Sequence, residues 1–118
     1  MRITILGFLT DYQSRVLLQQ TGATTLAAVG RSLAVGESPA DTLARAFREE
    51  TGLFVLPVRC VGLYRIADAE GELSLTFRCI LRGGELEIGQ GRPPAGYFDT
   101  QSLPAGLDSR QRSWWQFW

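Results

Sequence analysis

One segment of this chain is punctuated as a helix at both ends, and the sequence on either side of it alternates or runs apolar in short stretches. Ser38 is an N-cap candidate, Pro39 falls at the first helical position, and Asp41 stands three residues after the cap, a capping box with Asp in place of Glu. Leu43, Ala44, Phe47 and Thr51 recur at helical spacing, and Gly52 is a natural terminator. These signals predict a helix over 39–51. Before it, Ile3 to Thr10 is mostly apolar with several β-branched residues, and Arg15 to Gln20 carries Val16-Leu17-Leu18. The polar Asp11-Tyr12-Gln13-Ser14 connects them, so two strands are expected, with a third, short one at about 25–29 before a loop punctuated by Gly30 and Gly36.

After Pro57 the period becomes 2. Val58, Cys60, Gly62, Tyr64 and Ile66 alternate with Arg59, Val61, Leu63 and Arg65, and Leu73, Leu75, Phe77, Cys79 and Leu81 alternate with Ser74, Thr76, Arg78, Ile80 and Arg82. A hairpin turn at 68–71 joins the two strands. A turn centred between Ala69 and Glu70 would put Cys60 opposite Cys79 on one buried face. The pair is then either a redox couple or, as expected with reduced thiols, two small core residues. Tyr97-Phe98 reads as a short last strand.

Composition closes several functional routes. The 118 residues fit a single domain over 1–118. The absence of histidine removes Ser-His-Asp and Cys-His catalysis, and all 12 basic residues are arginine, so neither a Schiff-base lysine nor a P-loop lysine is available. Acid/base work falls to carboxylates. With formal net charge +0, no long-range field draws the protein to a nucleic acid polymer or an anionic membrane. The longest uncharged stretch, Val16 to Gly30, is too short and too polar to span a bilayer. The N-terminus lacks a signal-peptide pattern, and a cytoplasmic protein is expected. The tail Trp114-Trp115-Gln116-Phe117-Trp118 places four aromatics in five residues, which either fold back onto the domain or form an oligomer contact such as a homodimer.

Chemistry concentrates between Gly30 and Leu53. Glu49 and Glu50 are adjacent near the end of the expected helix, Arg45 lies one turn earlier on the same side, and Glu37 precedes the cap. Paired carboxylates with an open flank can hold a hard divalent cation and leave positions for water and phosphate oxygens. The same residues also read as a solvated helix face with an Arg45–Glu49 ion pair.

In this stretch the sequence resembles the Nudix hydrolase family. The family box is G-x5-E-x7-R-E-U-x-E-E-x-G-U, with U a bulky apolar residue, and the chain reads Arg31-x5-Glu37-x7-Arg45-Ala46-Phe47-Arg48-Glu49-Glu50-Thr51-Gly52-Leu53 without a gap. The resemblance implies an α/β fold, an α/β/α sandwich around a mixed β-sheet. It also implies hydrolysis of a pyrophosphate bond in a nucleoside diphosphate derivative, with Mg²⁺ or Mn²⁺ as cofactor. On the same ground Glu49 and Glu50 match the metal-binding pair, Glu37 the first box glutamate and a third candidate ligand, and Arg45 the arginine that orients them. Gly30 matches the loop glycine whose carbonyl can reach the metal, and Arg31, in place of the phosphate-facing box glycine, is a candidate bidentate phosphate contact. Three departures stand out. Ala46 replaces the glutamate after the box arginine, Arg31 replaces the first box glycine, and 89–96 lacks the carboxylate many members bring from that loop, leaving Glu85 and Glu87 as the nearest substitutes. A catalytically impaired nucleotide-binding or regulatory module is the alternative that Ala46 raises. Tyr12, Tyr64, Arg78 and Tyr97 are candidates for base stacking or phosphate contact.

Overall fold

The computed structural model describes residues 2–65, 71–87, 91, 93–102 and 104–107. The helix α1 spans Pro39–Thr51, as its caps predict. The Ser38 hydroxyl accepts the Asp41 N–H at 3.1 Å, and Gly52, at φ 79°, donates its N–H to the Arg48 carbonyl at 3.0 Å. Asp41 in the first turn and Arg48 in the last complement the helix dipole. The inward face of α1 is Thr42, Leu43, Ala46, Phe47 and Thr51.

The described residues also form seven strands: β1 (Arg2–Leu9), β2 (Arg15–Gln20), β3 (Leu26–Ala27), β4 (Val29–Ser32), β5 (Leu53–Arg65), β6 (Glu72–Gly84) and β7 (Ala95–Asp99). One sheet has the order β4-β1-β6-β5, in which β1 runs parallel to β6 and antiparallel to β4, so the sheet is mixed as expected. The other, β3-β2-β7, is antiparallel. Because side chains alternate along a strand, β1 and β2 each feed two cores. Ile5, Leu9 and Leu17 join Val29, Leu43 and Phe47 in the core under the helix. Phe8, Val16 and Leu18 join Ala28 and Leu107 in a second core. Among the described residues α1 is the sole helix, and it packs on β5, β4 and β1. No helix among them is long and apolar enough to cross a membrane.

Two strand expectations need correction. The segment expected as one strand at 25–29 is split into β3 and β4, and β5 begins at Leu53, immediately after the helix, rather than after Pro57. Pro57 is tolerated because β5 is an edge strand and carries a bulge beside it. The cysteines do not face one another: Cys60 pairs with Phe77 and Cys79 with Pro57. Register shifts at Phe54/Val55, Pro57/Arg59 and Cys60/Gly62 each reset the alternation, so Cys60 is exposed while Cys79 is fully buried, and both are free thiols. The turn at 68–70, the Tyr64 side chain and the aromatic tail lie outside the described residues.

Candidate functional site

Five of the six residues singled out from the sequence join in one network of ion pairs. Arg45 grips Glu37 with two bonds, Nε to Oε2 at 3.1 Å and Nη2 to Oε1 at 2.8 Å. The Thr42 hydroxyl adds a third to Glu37 Oε1, also at 3.1 Å. Arg45 Nη1 lies 3.5 Å from Glu49 Oε1, and the same oxygen accepts Arg31 Nη1 from β4. Arg31 Nη2 lies 3.5 Å from Glu50 Oε2. Gln19 on β2 completes the series, its Nε2 donating to Glu50 Oε1 at 3.2 Å. The network thus ties the start of α1, its last turn, β4 and β2 together, and its three carboxylates outweigh its two guanidiniums by one negative charge.

The arginines set the protonation of this cluster. The Arg45 guanidinium holds the Glu37 carboxyl below the usual carboxylate range, and Arg31 does the same to Glu49. Arg45 is itself raised by Glu37. Glu37 and Glu49 are therefore ionised throughout the neutral range.

Gly30 stands apart from the charged network. It was expected in a loop but lies in β4 opposite Leu6, where a Cβ would collide with the Leu6 side chain and press on the Ile5 carbonyl. Its demonstrable task is close approach of β4 to β1. Arg31, expected at a phosphate-facing loop, also belongs to β4, paired with Ile5, and is folded onto the glutamates. Ala46 is wholly buried in the helix-side core. Glu85 and Glu87 run past the end of the helix, with the Glu87 N–H on the Thr51 carbonyl at 2.9 Å. An open depression of about 290 Å³ between α1 and the start of β5 flanks the network, walled by Glu37, Arg45, Arg48 and Phe54 among others. Tyr97 is covered by the Arg15 guanidinium, 5.6 Å from its ring centre.

Among the described residues no group of three or more His, Cys, Asp or Glu side chains stands close enough to hold a metal ion on its own. The chemistry of the donors nonetheless suits a hard divalent cation, since every candidate donor is an oxygen. Two of those oxygens, Gln19 Oε1 and Glu50 Oε2, are shielded from solvent without a hydrogen-bond partner. Sequence reasoning missed Gln19 and Thr42. The one available signal for Gln19 was a polar residue following the apolar run Val16-Leu17-Leu18 in a strand.

Known proteins bear on this arrangement. No family model matches the chain. It is 32% identical over 72 residues to an ADP-ribose pyrophosphatase of Methanocaldococcus jannaschii, a match covering 58% of this chain and 43% of that protein, so less than half of the relative's length is represented. Among solved structures it resembles an ADP-ribose pyrophosphatase from Streptococcus suis, with a TM-score of 0.80, 20% identity, and coverage of 96% of this chain and 87% of the other. It also resembles a Nudix-family hydrolase from Clostridium perfringens, with a TM-score of 0.74, 14% identity, and coverage of 92% and 89%.

Proposed function

We propose that this chain, which has the Nudix fold, is a Nudix pyrophosphohydrolase that cleaves the phosphoric anhydride of a nucleoside diphosphate derivative, with ADP-ribose the leading substrate type. One observation carries the reading: the spaced box residues Glu37, Arg45, Glu49 and Glu50 converge with Arg31 in a single charged network where α1 meets β4. The names of its relatives add the substrate class.

Mg²⁺ or Mn²⁺, when bound, supplies a Lewis acid and lowers the pKa of water. Glu49 and Glu50 would hold it, with Glu37 assisting directly or through water. The protein's own groups divide the remaining work. Arg45 clamps Glu37 and touches Glu49, fixing the angle at which the helix presents its carboxylates. Glu49, kept ionised by Arg31, is a proton acceptor for an attacking water. Arg31 presents a planar fork of N–H groups that suits phosphate oxygens and offsets charge developing on the anhydride.

A phosphatase-coupled release screen tests this, over ADP-ribose, nucleotide sugars, dinucleoside polyphosphates and nucleoside triphosphates, with Mg²⁺ and Mn²⁺. Wild type should turn over ADP-ribose, and Glu50→Gln should lose about 100-fold or more in kcat. A second reading, a binding module with little catalysis, draws on Ala46 itself, which stands where the family box has a glutamate. Ligand-dependent thermal stabilisation of a folded protein without turnover would favour it.

A further inference from the structure

We propose that Gln19 supplies a further oxygen donor from β2, and that its Oε1 serves with Glu49 and Glu50 to bind a divalent cation. The inference rests on the reading that this cluster takes such a cation.

Gln19 is only 6% exposed, and a buried primary amide is unfavourable unless its donors and acceptor are paired. Its amide orientation is fixed by chemistry: Nε2 faces Glu50 Oε1 at 3.2 Å, and the reverse orientation would set two acceptors against each other. The amide oxygen is thereby left without a hydrogen-bond partner. Glu50 Oε2, the other oxygen of the bonded carboxylate, is also enclosed and lacks a hydrogen bond, its nearest cation being Arg31 Nη2 at 3.5 Å. Two partnerless oxygens therefore sit on one hydrogen-bonded pair. Glutamine carbonyl and carboxylate oxygens are the ligands that hard divalent cations take.

The test measures Mn²⁺ binding to the full chain, without nucleotide, by the electron paramagnetic resonance signal of free Mn²⁺, alongside the melting temperature of metal-free protein. Wild type should bind Mn²⁺, Gln19→Met should weaken binding about 10-fold, and Gln19→Glu should tighten it through added ligand charge. A purely structural Gln19 would move the metal-free melting temperature, leave Mn²⁺ affinity alone and gain nothing from glutamate. Wild-type affinity in Gln19→Met, or no gain in Gln19→Glu, overturns the inference, and Gln19→Glu decides if Gln19→Met does not fold. Absence of Mn²⁺ binding by wild type removes the metal reading of the cluster and this inference with it, whereas loss of effect confined to the variants removes this inference alone.

Discussion

Arg31 reaches from β4 to both Glu49 and Glu50, so the carboxylate pair already holds a cation tethered to the chain. A divalent ion entering the pair has to displace it. Glu49 is 47% exposed at its side chain, and solvent screening keeps the two contacts weak. Arg31→Ala should therefore tighten Mn²⁺ binding a few-fold in calorimetry while lowering turnover, because the same guanidinium is the proposed phosphate contact. Unchanged affinity would show that arginine and metal do not compete. The box residues are readable from the sequence because their meaning lies in fixed spacing along one helix and its approach. Gln19 is not, because its partner Glu50 lies 31 residues away and only the packing of β2 near the end of α1 unites them.

The helix is readable for the same local reason: Ser38, Pro39 and Gly52 are within a turn of the bonds they govern. Ser38→Ala should cost about 1 kcal/mol, lowering the melting temperature by about 4 °C for a domain of this size. Gly52→Ala should cost more. Its φ of 79° disfavours any Cβ, and a Cβ there would come within 2.8 Å of the Glu85 carbonyl oxygen. Differential scanning calorimetry of the two variants checks the order, and a milder effect at Gly52 would mean that the chain after β6 yields. The β5–β6 ribbon resists sequence reading where the helix does not. Its facing pairs are already one residue from expectation at Arg65 and Leu73, and three bulges then move the register again. A pattern of alternate residues carries no mark of where a strand takes in an extra one. Arg59 and Arg78 face each other across this ribbon, a consequence that alternation alone would have missed.

Across the whole molecule, β1 and β2 bind two cores into one cooperative unit, since Ile5 and Phe8, or Leu17 and Leu18, cannot be released separately from a common strand. Phe47→Ala in one core and Phe8→Ala in the other should each cost about 3–5 kcal/mol, and each should leave a single urea transition seen identically by circular dichroism and size-exclusion chromatography. Two separated transitions in either variant would show that the cores melt independently. Sequence pattern locates most of the elements of the mixed fold. The parallel pairing of β1 with β6 is not so located, because it joins segments about 70 residues apart and leaves no local signature. The two thiols, separated by the bulges, give the protein an internal clock. Cys79 sits in the middle of the mixed sheet between Leu9 and Pro57, its thiol pushed up to about 12 by burial, whereas Cys60 lies open on the edge strand. A thiol reagent will modify Cys60 at once and Cys79 only when the sheet breathes, so the ratio of the two labelling rates reads out the opening equilibrium of the sheet without any engineered probe.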